Sequence, residues 1–258
     1  ATTEIYTLSL HDALPIYIIN FGNYNLNDFR PVYFNTLFKS IKDKVIDKQW
    51  HEEALYKGTY NDPNSFTYTP IPDNQDIIYG HFESIKYFEH NYDKIIKILN
   101  LDKQQELYKF NYDKTIALHF RFEDYITCNY VHLLNKPEYF IDALIKLKEL
   151  LPDFNEYKII VFVAKVDINL ANKYINIIKS KCPEIINEFI KFVDIYPNVF
   201  TDIELLYMSN CKHFILGPST YSWWGAYLCQ NKDKIVIAPK VWDSNYNGKF
   251  DKLLDSFT

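Results

Sequence analysis

The sequence predicts an α/β fold, a parallel sheet flanked by helices, and three observations carry that prediction. Short runs rich in β-branched and aromatic residues recur between residues 115 and 238, most of them carrying continuous apolar stretches rather than alternation. Strands buried on both faces read this way. Between them lie segments whose apolar residues return every three to four positions, the period of a helix. The two kinds alternate along the chain, as parallel strands joined by helical crossovers do.

The strand runs are residues 115–120, 158–163, 189–195, 213–216 and 234–238, and the helical segments are 138–150, 168–181, 202–209 and 222–229. In the first of these helices Phe140, Leu144, Leu147 and Leu151 mark the buried stripe. The last begins within Ser219-Thr220-Tyr221-Ser222-Trp223-Trp224-Gly225-Ala226-Tyr227-Leu228, just past Gly217-Pro218. Ser219 or Thr220 suits the N-cap, because a side-chain oxygen there accepts from the free N–H groups of the first turn. A helix start just past a strand end is a seat for an anionic group such as phosphate. The plainer alternative is a strand-turn-helix with two core tryptophans.

Upstream the pattern is mixed. Residues 17–19 and 76–80 read as strands, and 61–74, with Pro63, Pro70 and Pro72, as a loop. Helical spacing marks 33–45 (Leu37, Phe38, Ile41, Val45) and 84–99 (Tyr87, Phe88, Ile95, Leu99). Residues 1–16 resemble translated sequencing-adapter read-through and lack the basic and apolar regions of a signal peptide. They are expected to be a disordered scar outside the fold. Residues 17–110 are then expected to form one domain and 111–258 another.

Composition excludes some functions. Of 258 residues 48% are hydrophobic and 24% charged, the balance of a globular protein. A net charge of −5 without a dense Lys/Arg stripe argues against a nucleic-acid partner. No apolar run approaches the ~20 residues that span a bilayer. Cys128, Cys182, Cys211 and Cys229 are scattered without a CxxC pair, which predicts free thiols. No G-x-G-x-x-G or Walker pattern appears.

The chemistry gathers at the end of the run Thr115-Ile116-Ala117-Leu118-His119-Phe120-Arg121. Alternate side chains of a strand share a face, so His119 and Arg121 should point the same way. They stand at a strand's C-terminal end, where open parallel sheets bind ligands. Arg121 offers a planar fork of donors suited to phosphate. Asp124 would orient Arg121 or His119, or act on an acceptor hydroxyl. The plainer alternative is an Arg–Asp ion pair.

His119-x-Arg121-x-x-Asp124-Tyr125, followed by Ser219-Thr220-Tyr221-Ser222-Trp223-Trp224-Gly225-Ala226, resembles the α-1,2-fucosyltransferases of glycosyltransferase family 11. Three further stretches agree in type and order: Tyr79-Gly80-His81-Phe82-Glu83-Ser84-Ile85-Lys86-Tyr87-Phe88, residues 205–213 and residues 234–242. The resemblance implies a GT-B-like fold of two Rossmann-like domains. The N-terminal acceptor-side domain would be incomplete here and the C-terminal one would bind the nucleotide sugar. It implies inverting transfer of L-fucose from GDP-fucose to a galactose 2-hydroxyl of a glycan, without an essential metal or other cofactor. His119, Arg121 and Asp124 would then be catalytic, with Arg121, Ser219, Thr220 and Ser222 binding the donor. The acidic pair Asp202 and Glu204 is read as a helix start, so no metal ligands are assigned. Trp223 and Trp224 are read as packing, Glu83 and Tyr87 as able to face the cleft, and His81, His132 and His213 as structural or surface residues. Eukaryotic relatives imply a Golgi or membrane location, prokaryotic and viral ones the cytoplasm.

Departures from the family pattern keep alternatives open. The family reads H-x-R-R-x-D, whereas Phe122 replaces the second Arg and Glu123 a small residue. That would remove a cation and add an anion near the phosphates. After 158–163 an acidic turn is reduced to Asp167, and the family's opening Gly-rich strand and turn is absent, as in an N-terminally truncated or divergent member. The alternatives are a fucosyltransferase of another linkage, or a nucleotide-sugar- or glycan-binding protein without turnover.

Overall fold

The computed structural model describes residues 18–19, 33, 36–46, 59–63, 67–73, 75, 77–80, 82, 84–122 and 136–239. The segment 1–16 and the residues His81, Glu83, Glu123, Asp124, Cys128, His132 and Trp242 lie outside the described residues. The chain divides into two compact units, Ala1–Gln104 and Gln105–Thr258.

In the first unit β1 (Ile18–Ile19) pairs in parallel with β2 (Val45–Ile46), and β3 (Thr59–Asn61) with β4 (Ile77–Tyr79). The helix predicted over 33–45 is a turn and a 3-10 segment, Lys39–Lys44, that stops where Val45 and Ile46 pair with β1. Leu37 and Ile41 are buried as their spacing predicts. The helix predicted over 84–99 is also broken. Phe88 leaves helical dihedrals (φ −139°, ψ −11°) with its ring buried, so 3-10 turns at Ile85–Tyr87 and Glu89–Asn91 precede α1 (Tyr92–Leu99). Asn100, left-handed at φ 53°, ends α1, and α2 (Leu101–Leu107), which the sequence reading missed, starts at once. Tyr87 does not face open space: it is buried and its hydroxyl accepts from Thr69 N at 2.9 Å.

The second unit is the predicted α/β sheet. Its strands are β5 (Thr115–His119), β6 (Lys158–Phe162), β7 (Phe189–Lys191), β8 (His213–Ile215) and β9 (Val236–Ile237). All pairs are parallel and the spatial order is β7-β6-β5-β8-β9. The crossovers carry α3 (Pro137–Leu150), α4 (Ile168–Lys181), α5 (Phe192–Ile195), α6 (Thr201–Ser209) and α7 (Thr220–Leu228). Ile116, Leu118, Phe120 and Phe122 pack with Phe140 and Leu144 of α3 and Ala171 and Ile178 of α4. On the other face Phe162 stacks on Phe192 at 5.2 Å, and α6 and α7 lie together. One prediction fails here: residues 189–195 are not one strand. Lys191 is the last extended residue, and the chain turns into α5, with Phe192 buried against Phe162 and Tyr196. β-propensity reports only a fit to a half-buried pleated surface, and those side chains fit a helical turn equally well. Cys182, Cys211 and Cys229 are buried free thiols.

Candidate active site

The chain runs outward from β5 through β6 to β7, then returns to lay β8 on the other side of β5. The strand order therefore reverses between β5 and β8. Connections leave those two strands toward opposite faces, which opens a crevice at their C-terminal ends. The loops bordering it carry His119 and Arg121 on one side and Gly217 to Ser222 on the other.

The two loops touch. A Cβ on Gly217 would lie 2.8 Å from the His119 carbonyl oxygen and 3.4 Å from its Nδ1, so only glycine allows this approach. Tyr139 of α3 buttresses the β8 end, donating its hydroxyl to Leu216 O at 2.8 Å. Beyond Gly217, Ser219 is the N-cap of α7: its extended backbone (φ −150°, ψ 129°) lets Oγ accept from Tyr221 N at 3.3 Å. Its carbonyl accepts from Trp223 N at 3.2 Å. Helix geometry leaves the first-turn N–H groups without intrahelical partners, and they carry the positive end of the helix dipole.

The five residues predicted for the site that are described divide by role. His119 and Arg121 share a side, as alternation predicts, and the Arg121 charge reaches the His119 ring. His119 is 6% exposed, and burial first, then Arg121, pushes its pKa down to about 3. The imidazole is therefore neutral at working pH. Among the described residues its Nδ1 has no hydrogen-bond partner, an unusual state for a buried ring nitrogen. Arg121 is half-buried. Ser219 and Thr220 sit at the mouth of the helix, Thr220 the more exposed. Ser222 faces inward: it is fully buried, and its hydroxyl donates to Ser219 O at 3.1 Å and Gly217 O at 3.4 Å. Its side-chain proton is committed to the turn, and only its backbone N–H points along the helix start. Asp124, the sixth, is outside the described residues.

Phe122 changes meaning in this setting. Its ring is 1% exposed, 5.4 Å from Phe120 and 4.8 Å from Tyr174, on the face opposite His119 and Arg121. The side chain at 122 belongs to the core, so phenylalanine there takes no cation from the crevice side. Trp223 is buried and stacked on Tyr227 at 4.6 Å, a packing residue as expected. His213 is also internal, its Nδ1 accepting from Ile235 N at 3.0 Å.

Sequence reasoning missed a second cluster. Asp202 and Glu204 do open a helix, in the first turn of α6, where Asp202 Oδ1 accepts from Ile203 N at 2.9 Å. Glu204 does more than that. Tyr221 of α7 donates its hydroxyl to Thr201 O at 2.8 Å and lies 3.2 Å from Glu204 Oε1, while its ring packs 5.7 Å from the His119 ring. Burial pushes the Glu204 pKa up to about 7 against the opposing pull of Tyr221 and of the Lys165 charge. The helical period held the signal. Met208, one turn after Glu204, meets Gly225, one turn after Tyr221, where a Cβ would lie 2.4 Å from Met208 Sδ. Two parallel helices with contacts four residues apart give both rungs.

The chain is 29% identical over 171 residues to an alpha-1,2-colitosyltransferase of Escherichia coli, covering 63% of this chain and 54% of that protein. It is 28% identical over 198 residues to the O-antigen biosynthesis glycosyltransferase WbnK of Escherichia coli, covering 70% of this chain and 59% of that protein. The chain thus spans somewhat more than half the length of these curated relatives. No solved structure matches it. No helix among the described residues is long and apolar enough to cross a membrane. The model of the family described as glycosyl transferase family 11 matches residues 14–256, nearly the whole chain, and the chain belongs to that family.

Proposed function

We propose that this chain is an inverting glycosyltransferase that moves L-fucose from GDP-fucose to the 2-hydroxyl of a galactose in a glycan, within a GT-B-like architecture. The observation that carries the reading is the meeting of Arg121, neutral His119 and the α7 N-terminus at the switch point between β5 and β8. Family membership and the α-1,2 linkage in a relative's name support sugar transfer to a 2-hydroxyl.

As the bond from sugar to phosphate breaks, the ring takes on oxocarbenium character and negative charge collects on the departing diphosphate. Fixed donors stabilise that charge without reorganising. We assign this role to the Arg121 guanidinium, the Ser219 and Thr220 hydroxyls and the first-turn N–H groups of α7, including that of Ser222. His119, neutral, adds an Nδ1–H donor in the tautomer that places the proton there. Asp124, three positions past Arg121, is assigned to the acceptor side or to orienting Arg121. No metal enters this scheme.

A second reading, colitose in place of fucose, is favoured by the name of the colitosyltransferase relative. Calorimetry with GDP and GDP-fucose, followed by transfer to lactose-type acceptors in excess chelator, tests the proposal. Binding and chelator-resistant transfer are expected. GDP binding with no turnover would overturn the enzyme reading in favour of a binding protein. Transfer from GDP-colitose but not GDP-fucose would select the second reading.

A further inference from the structure

Tyr221 touches three elements of the crevice at once. Its backbone N–H closes the cap on Ser219, its ring lies against His119 at the end of β5, and its hydroxyl reaches Thr201 O and Glu204 Oε1 in the first turn of α6. We propose that Tyr221 is a positioning residue that holds the His119 ring and the Glu204 carboxyl in fixed relation to the α7 N-terminus, and so couples nucleoside diphosphate binding to the protonation of Glu204. The proposal rests on the donor-site reading above.

The physical argument runs through the hydroxyl. A phenol can donate one proton, and here two acceptors lie within reach, Thr201 O at 2.8 Å and Glu204 Oε1 at 3.2 Å. Donation to the carboxylate favours the ionised form of Glu204, while burial disfavours it. Four other charged or titratable groups stand around this carboxyl, on three elements. Lys165, in the turn after β6, favours the ionised form and is itself held by Pro197 O. Asp202 shares the first turn of α6. His119 and Arg121 lie on the β5 side, across the Tyr221 ring. Removing the hydroxyl removes one of the two groups that favour ionisation and leaves the burial, so the Glu204 midpoint must rise. Ligand binding at the α7 N-terminus should feel that change, because the same ring that carries the hydroxyl borders His119.

Tyr221→Phe in the full chain keeps the ring and deletes the hydroxyl. Carbon-13 NMR of labelled glutamate side chains, titrated without ligand, reads the Glu204 midpoint, with Glu204→Gln assigning the signal. Calorimetry with GDP across the same pH range reads binding. In the wild type the break in GDP affinity is expected to coincide with the Glu204 midpoint near neutral pH. In Tyr221→Phe both should move together to higher pH, and in Glu204→Gln the break should disappear. A Glu204 midpoint unmoved in Tyr221→Phe overturns the proposal. A midpoint that moves while the GDP profile stays fixed also overturns it, since Glu204 would then titrate away from the ligand. Absence of GDP binding by the wild type at every pH overturns the donor-site reading and with it the coupling. That failure is recognisable because the NMR midpoint still shifts.

Discussion

At the scale of the residue, the crevice combines a permanent charge with a group that cannot acquire one. Arg121 brings a guanidinium to the crevice, while His119, buried beside it, stays neutral down to about pH 3. A protonated imidazole there would be buried, with the Arg121 charge beside it. Among the described residues of these two loops, donor charge therefore rests on the Arg121 side chain. Arg121→Ala is expected to lower turnover by about 10²–10³-fold, the usual cost of deleting one preorganised donor to a developing anion. The melting temperature should stay within a degree or two, because Arg121 lies past the strand and outside the hydrophobic cluster. Transfer assays and thermal melts of the same preparation check both halves. Activity surviving within a few-fold would remove Arg121 from the phosphate-binding role. Alternation in the sequence made His119 and Arg121 legible as a pair. The same alternation placed Phe122 on the other face, yet a family pattern with arginine at that position suggested a lost cation. Only the packing of Phe122 between Phe120 and Tyr174 shows which reading holds.

At the scale of the element, the site depends on how closely the loop after β8 passes the end of β5. The His119 carbonyl is backbone, held in register by the pairing of β5 with β6 and β8, and cannot move aside as a flexible side chain would. Gly217→Ala places a Cβ 2.8 Å from that oxygen, so the loop must shift. Overpacking of this kind costs roughly 1–3 kcal/mol. The shift would also carry the Ser219 cap away from His119 and Arg121, so GDP affinity should fall more than stability does. Urea denaturation and calorimetry on Gly217→Ala measure the two, and unchanged GDP affinity would show that the loops need not touch. Much of this architecture is legible in the sequence: continuous apolar runs gave the five strands, and Ser219 announced the start of α7. The links between elements were not. Glu204 and Tyr221 are 17 residues apart and meet only because α6 and α7 both follow strands of one parallel sheet. The break at Phe192 was hidden for a related reason. Phe189-Ile190-Lys191-Phe192-Val193-Asp194-Ile195 has the composition of a strand, and its turn into α5 is decided by where Phe162 leaves room.

At the scale of the whole molecule, buried titrating groups oppose one another in acid. His119 has its pKa lowered from 6.5 to about 3, and His213 is also lowered, chiefly by burial. Below pH 6.5 the unfolded chain binds protons on these rings that the folded chain refuses, so each contributes a loss of stability as pH falls. Glu204 acts in the other direction. Its folded pKa of about 7 stands above its ordinary 4.5, so between those values the folded state binds a proton that the unfolded state does not, and acidification stabilises. One proton each way, at about 1.4 kcal/mol per pH unit, nearly cancels between pH 6.5 and 4.5. The remaining slope comes from His213. Below 4.5 the gain from Glu204 ends while the loss from His119 continues to about pH 3, and stability should fall more steeply. The lowered carboxyls of Glu138 and Asp153 add to the fall only below their ordinary values of 4.5 and 3.8. Glu204→Gln removes the compensation but keeps an oxygen for the Tyr221 hydroxyl. In that variant the loss should begin at pH 6.5 and run at about 1.4 kcal/mol per pH unit or somewhat more. Urea midpoints followed by tryptophan fluorescence report on the second unit, which holds Trp223, Trp224 and Trp242 of the four tryptophans. Parallel curves for wild type and Glu204→Gln between pH 6.5 and 4.5 would mean that the Glu204 carboxyl is ionised in the fold throughout that range, and the opposition between it and His119 would be gone.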